Sequence, residues 1–333
     1  MRIDGHRFLV TGGASLIGSH IADHLLAAGA SEVILFDNLS LSSDPTAQPG
    51  TDPRLRLVRG DIRDIHALMD ALNGIDGVFA TAAYITNPLH RDPLTGMQVN
   101  VDGHLMLLEA CRWRGVTRLI YSSSVGLYGA SPAELIAESE PFHYAGLQPA
   151  GVLYGASKIV AEQLCRMYQD RHGLECTALR YSTVYGERQH ARGVNSLIIV
   201  EAYDRIRQGL PPLIPGDGSE VHDYIHVADV ARANVAAMRR DTSLDNATIA
   251  TGNETSLNAL VGIILDVVGS GLRPEHIDAP GRVKVTTTTR LRFDRSKAER
   301  ELGWKPEVPL REGIKRVLEW RESEIRNNSP PRS

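Results

Sequence analysis

The chain has 333 residues, of which 42% are hydrophobic and 23% charged, and its formal net charge is -4 at pH 7. This length allows one large α/β domain or two moderate ones. The charge balance shows no basic stripe of the kind that binds nucleic acid, and no apolar run is long enough to cross a bilayer.

The N-terminal segment "MRIDGHRFLVTGG" lacks the order of charged, apolar and small residues that marks a secretion signal, so we expect a cytoplasmic protein. The three cysteines, Cys111, Cys165 and Cys176, are odd in number and widely spaced. Neither a disulfide framework nor a zinc site follows from this pattern. We interpret the cysteines as core residues and expect no metal.

Six short apolar or β-branched runs are predicted as strands, and they begin at residues 7, 32, 55, 77, 118 and 175. Segments with a period near 3.6 residues lie between them, such as "GSHIADHLLAAG" from residue 18 and "NVDGHLMLLEACRWRG" from residue 100. This alternation predicts right-handed βαβ units and an α/β fold with a Rossmann-like, doubly wound parallel sheet.

The texture changes after about residue 183, where "GLPPLIPGDGSE" separates a helical stretch from the strand-like "HDYIHV". We therefore predict a sheet domain over residues 1–182, with a segment near 225–252 that returns to it. Residues 183–325 are predicted to form mainly a smaller, mixed α/β substrate domain, and residues 326–333 a disordered tail.

The segment Thr11–Gly18, "TGGASLIG", follows the first strand and opens a helix. Glycines at such a turn allow the backbone to approach a pyrophosphate, and the helix N-terminus attracts phosphate. Ser15 occupies the position of the middle glycine, a small polar replacement. The loop therefore predicts a dinucleotide site, held by Gly12, Ser15 and Gly18.

Two carboxylates end the following strands. Asp37 lies about twenty residues after the last glycine of the loop, where a carboxylate accepts hydrogen bonds from a ribose and repels the extra phosphate of NADP. This spacing favours NAD, although a strand-end turn is the alternative. Asp61 is placed to meet the adenine edge, but it equally suits the N-cap of the next helix.

Tyr154 and Lys158 in "YGASK" form an i,i+4 pair if the segment is helical. A lysine ammonium favours the phenolate of a neighbouring tyrosine, so Tyr154 becomes a candidate base. Ser124 ends a neighbouring strand and is placed to hold the oxygen that loses its proton. A solvated helix face is the alternative for the pair alone.

Together these motifs resemble the extended short-chain dehydrogenase/reductase family, and within it the NAD-dependent nucleotide-sugar epimerases and dehydratases typified by UDP-galactose 4-epimerase. The resemblance covers nearly the whole chain. The matching segments include "TGGASLIG", "DNLS", "GDIRD", "NVDGH", "YSSSVGLYG", "YGASK", "LRYSTVYGERQ", "GDGSEVHDYIHVADVARAN" and "SKAERELGWKP".

The resemblance implies epimerisation of a nucleotide-activated sugar by transient oxidation. Tyr154 would remove the hydroxyl proton while the adjacent carbon passes hydride to NAD, and the keto sugar would recover the hydride on its other face. Ser124 would hold the sugar hydroxyl and Lys158 the nicotinamide ribose. The other cofactor residues implied are Leu16, Ile17, Asn38, Ile62, Ala82, Asn100, Tyr181 and Val184.

The substrate side departs from the family pattern. Thr183 stands where the family has an asparagine, and His222 where it has an arginine that grips the diphosphate. Arg292 is the candidate for a later arginine whose register is displaced. Asn195 matches an asparagine that meets the diphosphate, with an N-cap as its alternative. Arg188, Arg192 or Arg282 would supply the missing charge if His222 does not.

Ser124–Tyr128 contains no acid of the kind that expels water from a sugar in related dehydratases, so dehydration is disfavoured. A reductase or dehydrogenase that releases its product is the nearest alternative, and a non-catalytic NAD-sensing protein is a more distant one. The resemblance also implies a homodimer through the helices around residues 100–115 and 155–168. The alternative is that their apolar stripes pack on the sheet of the same chain.

Overall fold

The computed structural model describes residues 1–40, 52–189, 197–241, 244–278 and 291–327. Within these ranges the centre of the fold is one parallel sheet of seven strands. Its strands are β1 (Arg7–Thr11), β2 (Glu32–Asp37), β3 (Leu55–Arg59), β4 (Gly77–Ala80), β5 (Arg118–Ser124), β6 (Glu175–Tyr181) and β11 (Asn246–Ile249). All six predicted strands are present.

The strand order is β11-β6-β5-β4-β1-β2-β3. The central strands are continuous apolar runs that are buried along their length, as expected for parallel strands covered on both faces. β2 and β3 lie on one side of β1, whereas β4, β5 and β6 lie on the other. The crevice beyond the carboxyl ends of β1 and β4 is therefore the topological switch point, where ligands of such sheets bind.

Helices cover both faces of this sheet. The helices of the described residues are α1 (Leu16–Ala27), α2 (Ile65–Ala71), α3 (Thr86–Arg91), α4 (Pro93–Met97), α5 (His104–Arg114), α6 (Pro149–His172), α7 (Leu197–Arg207), α8 (Val227–Arg239), α9 (Leu257–Val268), α10 (Ser296–Leu302) and α11 (Leu310–Asn327).

The two faces have separate cores. On one face α1 and α8 pack together over a core that includes Phe8, Leu25 and Val230. On the other face α2, α5 and α6 pack over a core that includes Leu9 and Leu107.

A π-helical segment, Gln98–Gly103, joins α4 to α5, and a 3₁₀ turn, Val125–Tyr128, follows β5. Single π turns inside helices occur frequently at functional sites. Helix α6 has Pro149 in its first turn and ends before Gly173, which has a φ of +71°. Proline at the start and glycine just past the end are the expected helix boundaries.

The smaller part of the molecule has its own core between α7, α9 and α11, with Ile199, Leu260 and Ile314 at its centre. The short strands beside it are β7 (Thr183–Tyr185), β8 (Leu213–Pro215), β9 (Val221–His222), β10 (Tyr224–His226), β12 (Thr255–Ser256) and β13 (Glu275–Ile277). They form pairs: β7 with β10 and β8 with β13 are parallel, and β9 with β12 is antiparallel. The expected fold class is confirmed.

The chain returns to the large sheet after the first short strands, because α8 packs on α1 and β11 pairs with β6. These contacts are those that the predicted returning segment requires, although the domain boundaries themselves stay a prediction. Residues 326 and 327 of the predicted tail belong to α11, where Arg326 pairs with Glu322 one turn earlier. Residues 328–333 lie outside the described residues.

All three cysteines are free and buried, in agreement with their interpretation as core residues. Among the described helices, none combines the length and apolar character needed to cross a membrane. No cluster of three or more metal-ligating side chains occurs in the same residues.

Candidate active site

The glycine loop turns tightly between β1 and α1. Gly12 has a φ of +63°, and a Cβ atom there would lie 2.9 Å from the Cα of Ala82. A Cβ atom at Gly18 would lie 2.5 Å from the carbonyl oxygen of Gly12. Both positions therefore need glycine, the first for its backbone conformation as well as its space, and the second for the close approach of helix and loop.

Ser15 fits the loop without backbone strain. It is the N-cap residue of α1, with φ -89° and ψ 174°, a conformation open to any residue. Its hydroxyl donates to the carbonyl oxygen of Gly12 at 2.5 Å, and its N–H donates to the same oxygen at 3.1 Å. The serine thus replaces a glycine by folding its side chain back onto the loop.

Leu16, Ile17 and Gly18 form the first turn of α1, which contains no acidic side chain. The positive end of the helix dipole therefore faces the switch-point crevice unopposed by a carboxylate from that turn. The loop and this turn therefore fit a pyrophosphate, and the cofactor role of their residues stays a prediction.

Asp37 connects the end of β2 to the glycine loop. Its carboxylate accepts from the N–H of Ala14 at 3.0 Å and from the N–H of Leu39 at 2.8 Å. Leu39 has a φ of +60°, the left-handed region that costs energy for residues with a side chain. The strained turn after β2 is therefore held in part by the carboxylate that the sequence assigns to the ribose.

Asp61 lines the same cleft as Asp37. Arg63 binds it with two hydrogen bonds of 2.9 and 2.8 Å, and Asn38 donates to it at 3.2 Å. The bonds from Arg63 lower the pKa of Asp61 to about 2. The N-cap of α2 is Asp64, which accepts from the N–H groups of the first turn at 3.0 and 3.1 Å. The alternative role of Asp61 as this N-cap is wrong.

This cleft collects seven of the predicted cofactor residues: Gly12, Ser15, Asp37, Asn38, Asp61, Ile62 and Ala82. Other residues of its lining were not predicted, and they are Ala14, Phe36, Ser40, Gly60, Thr81, Ala83, Tyr84 and Val99. Most of these lie beside a predicted residue in the sequence, so the strand ends are the signal that could have found them.

Asn100 lies buried in the π-helical segment and clamps the chain after β4. Its side-chain oxygen accepts from the N–H of Tyr84 at 2.8 Å, and its side-chain nitrogen donates to the carbonyl oxygen of Tyr84 at 2.9 Å. The same nitrogen donates to the hydroxyl of Ser157 at 3.2 Å. Asn100 therefore links the cleft wall to α6, the helix that carries Tyr154 and Lys158.

Ser124 and Tyr154 meet at Gly126. A Cβ atom at Gly126 would lie 3.2 Å from the ring of Tyr154 and 3.3 Å from the hydroxyl of Ser124. The hydroxyl of Ser124 accepts from the N–H of Gly126 at 3.1 Å and is also hydrogen-bonded to Tyr154. The small residue thus allows the serine and the phenol to share one site at the end of β5.

Burial raises the pKa of Tyr154 above its ordinary value of 10.0, and the hydrogen bond with Ser124 lowers it in part. We expected the ammonium of Lys158 to favour the phenolate. The nitrogen of that ammonium lies 5.7 Å from the centroid of the Tyr154 ring. In the protein alone, burial therefore raises the pKa of Tyr154, and the expected lowering by Lys158 does not prevail.

Lys158 is buried on α6, one turn after Tyr154. Its Nζ donates to the carbonyl oxygen of Ser122 at 2.8 Å and lies 5.0 Å from the centroid of the Tyr121 ring. Burial lowers the pKa of Lys158 to about 8, and the charge of Glu162 one turn further along opposes that change. The ammonium remains the main form near neutral pH.

Tyr181 and Val184 follow at the end of β6 and the start of the smaller part. The hydroxyl of Tyr181 donates to Asn234 at 3.0 Å and lies 3.2 Å from the hydroxyl of Ser122. Burial raises its pKa to about 12. The polar end of Tyr181 is therefore engaged within the protein, and its predicted cofactor role stays a prediction, as does that of Val184 in β7.

His222 and Thr183 lie side by side on the substrate side. Nε2 of His222 lies 2.7 Å from a carboxylate oxygen of Glu220, and its Nδ1 lies 3.4 Å from the hydroxyl of Thr183. The imidazole is buried. Both of its nitrogens thus have partners within the protein. The two residues that depart from the family pattern, Thr183 and His222, therefore contact each other.

The other candidates for phosphate binding are less well placed or lie outside the described residues. Arg188 forms an ion pair with Asp23 at 2.6 Å. Arg292 is exposed, and its carbonyl oxygen accepts from the N–H of Ile136. Asn195, Arg192 and Arg282 lie outside the described residues.

Two buried groups near the site were not predicted. Asp223 accepts from the hydroxyl of Ser182, from the N–H and hydroxyl of Thr251 and from the N–H of Gly252, at 2.7 to 3.0 Å. Burial raises its pKa. Its partners lie far away in the sequence, so only its place beside His222 in "HDY" could have drawn attention to it.

The second buried group is an ion pair whose carboxylate lies one helical turn after Lys158 on α6. Arg180 on β6 binds Glu162 on α6 with hydrogen bonds of 2.9 and 2.6 Å, and the hydroxyl of Ser123 donates to the same carboxylate at 2.6 Å. Since Ser123 and Arg180 are paired in the sheet, the strand register brings this network together.

The site thus offers a glycine loop that fits a pyrophosphate and, at the end of β5, a partly buried phenol beside a serine hydroxyl and a buried lysine. These features define a class, the dinucleotide-dependent enzymes that oxidise or reduce a carbon–oxygen bond. The chain belongs to the NAD dependent epimerase/dehydratase family, whose model matches residues 8–278. The expected family and its NAD cofactor are confirmed.

Individual relatives cover nearly the whole chain. A protein of Methanocaldococcus jannaschii is 37% identical over 96% of this chain and 99% of its own. The structure of UDP-glucose 4-epimerase from Thermotoga maritima with UDP-glucose has a TM-score of 0.84 and 31% identity, and covers 96% of this chain and 99% of that chain. MoeE5 in complex with UDP-glucuronic acid and NAD has a TM-score of 0.81 and 30% identity, with the same coverage.

Proposed function

We propose that this protein is an NAD-dependent 4-epimerase of a UDP-linked sugar. The observation that carries the proposal is the joint position of Ser124 and Tyr154 around Gly126, at the end of β5 and beside the cleft that contains Asp37. Similar proteins named as UDP-sugar 4-epimerases support the nucleotide and the position of the reacting carbon.

In the proposed reaction the hydroxyl of Ser124 holds the sugar oxygen that loses its proton. The phenolate of Tyr154 accepts this proton and the resulting phenol later returns it, and the ammonium of Lys158 stabilises the phenolate form before the transfer. When bound, NAD supplies the hydride acceptor. The keto sugar would then turn over in the pocket and take the hydride back on its other face.

Dehydration is less well supported, because it needs an acid that protonates a leaving hydroxyl. No carboxylate occurs in Ser124–Tyr128. The buried carboxylates nearby are engaged, Glu162 with Arg180 and Asp223 with four donors. The site therefore supports transfer of one proton and one hydride, without elimination.

The direct test is turnover of UDP-glucose by the purified protein without added NAD, followed by NMR of the sugar. We expect UDP-galactose to form with no net change in absorbance at 340 nm, because the hydride returns to the substrate. A stoichiometric gain or loss of NADH would support the reductase or dehydrogenase alternative. Tyr154→Phe is expected to retain NAD and to lose about 10²- to 10⁴-fold of turnover.

Full turnover by Tyr154→Phe would contradict the proposed role of the phenol. Absence of any turnover in the wild type, together with bound NAD, would instead favour an NAD-sensing protein. UDP-glucuronic acid is the second substrate to test, since a similar structure binds it.

We propose in addition that the protein forms a homodimer through α5 and α6. Leu153, Val160 and Met167 recur every seven residues on α6, and Leu105 and Trp113 lie on α5. All five are 36–54% exposed, so these apolar side chains are not fully covered by the sheet of their own chain. An exposed apolar stripe on two neighbouring helices is typical of an isologous interface.

Val160→Glu places a charge at the centre of this stripe and is expected to give a monomer in sedimentation velocity. Val268→Glu on α9 is the matched control, because Val268 is similarly exposed but lies on another surface. A wild type that sediments as a monomer, or a Val160→Glu variant that remains a dimer, would contradict the interface.

A further inference from the structure

Lys158 is unusual in both its chemistry and its setting. The chain has only five lysines, Lys158, Lys284, Lys297, Lys305 and Lys315, and its other cationic side chains are arginines. Lys158 is only 3% exposed. Burying an ammonium is costly unless other groups replace its hydration, so the groups that face Lys158 determine whether it stays charged.

The ammonium has one direct hydrogen-bond acceptor in the structure, the carbonyl oxygen of Ser122 at 2.8 Å. Glu162 lies one turn further along α6, but its carboxylate is bound by Arg180 and Ser123. His104 from α5 adds no positive charge near neutral pH, because burial lowers its pKa to about 3. The ammonium also faces two aromatic rings.

Two tyrosine rings lie within cation–π distance of Nζ, Tyr154 at 5.7 Å and Tyr121 at 5.0 Å. Tyr154 itself changes charge in the proposed reaction. Tyr121 lies in β5 and is buried, and the ring of His104 packs against it with centroids 4.5 Å apart. Its ring is thus held in place and offers the ammonium a constant face.

We propose that Tyr121 is a positioning residue whose ring keeps Lys158 charged and directed toward Tyr154. The proposal rests on the catalytic roles assigned above to Tyr154 and Lys158. It adds a residue that lies outside the "YGASK" motif and that contacts the lysine from the sheet.

The experiment compares Tyr121→Phe, which keeps the aromatic face, with Tyr121→Leu, which removes it. The protein is labelled with ¹³C at the lysine Cε, and the signal of Lys158 is assigned by its loss in Lys158→Arg. With only five lysines the spectrum is simple. A titration then gives the pKa of Lys158 directly, independently of turnover.

Loss of the ring destabilises the ammonium relative to the neutral amine, so the pKa of Lys158 falls. From the usual strength of cation–π contacts we expect a decrease of about 0.5 to 1.5 units in Tyr121→Leu and little change in Tyr121→Phe. Because turnover needs the ammonium, the alkaline limb of the rate profile of the NAD-loaded enzyme should move to lower pH by the same amount.

Fluorinated phenylalanines at position 121 keep the shape of the ring while weakening its negative face, and they replace Tyr121→Leu if that variant does not fold. We expect the pKa of Lys158 to fall with each added fluorine. An unchanged pKa along this series, or equal shifts in Tyr121→Phe and Tyr121→Leu, would overturn the proposal.

The outcomes separate this proposal from the proposed function. If Tyr154→Phe is inactive and the pKa of Lys158 does not depend on residue 121, only the role of Tyr121 fails. If Tyr154→Phe and Lys158→Met both turn over UDP-sugars normally, the catalytic assignment fails, whatever the titration shows.

Discussion

Gly18 is the position where the cofactor loop has least space, and Gly18→Ala is therefore expected to weaken NAD binding. The added Cβ would lie 2.5 Å from the carbonyl oxygen of Gly12 and 2.7 Å from the Cα of Gly13. Both obstacles are backbone atoms, so the turn itself must move. Overpacking of this kind costs about 1–3 kcal/mol. If the strain occurs only in the NAD-bound conformation of the loop, this cost corresponds to a loss of about 5- to 150-fold in affinity for NAD.

Isothermal titration of the cofactor-free protein with NAD measures this effect, and the melting temperature shows whether the fold suffers. Gly262→Ala in α9 is the matched control, because a Cβ there meets nothing within 4 Å. Ser15→Gly tests the neighbouring position and should change affinity little, since Ser15 already has an ordinary backbone conformation. Wild-type affinity and stability in Gly18→Ala would refute the reasoning.

Three other changes test the surroundings of the site. Asp37→Ala is expected to lower NAD affinity about tenfold or more and to reduce the preference for NAD over NADP, measured by titration with both. Arg180→Met leaves Glu162 buried without its partner and is expected to cost about 3–5 kcal/mol of the free energy of unfolding; adding Glu162→Gln should restore part of it. As the pH falls from about 6.5 toward 4, the free energy of unfolding should decrease by up to about 1.4 kcal/mol per pH unit for each of His20 and His104. Burial lowers the pKa of these groups to about 4 and about 3, so the unfolded chain takes up protons that the folded chain does not. Urea unfolding at several pH values measures this slope, which should be shallower in His20→Gln than in the wild type. An equal slope in the two proteins would contradict a neutral His20 in the fold.

Local patterns predicted the sheet well. Each apolar run from β1 to β6 became a strand, because a parallel strand buried on both faces needs a continuous apolar sequence. The glycine loop and Asp37 were also predictable, because their positions depend only on one strand–helix–strand unit that is continuous in the sequence. β11 was not predicted as a strand of this sheet, although a returning segment was.

The properties that depend on distant parts of the chain could not be predicted. The raised pKa of Tyr154 depends on burial between α6 and the turn after β5. His222 contacts Glu220, two residues earlier, at 2.7 Å and Thr183, 39 residues earlier, at 3.4 Å. The contact with Thr183 depends on strand pairing across the smaller part and could not be predicted from the local sequence. The roles of the individual site residues, the domain boundaries, the homodimer and the cytoplasmic location stay predictions.

The central claim is that a hydride leaves the sugar carbon and returns to the same molecule. The most direct measurement is epimerisation of UDP-glucose in D₂O, followed by NMR of C4 in the product. The account predicts UDP-galactose that keeps its protium at C4, because the hydride never exchanges with solvent. Deuterium at C4 would show that the carbon loses a proton instead, and would contradict the account.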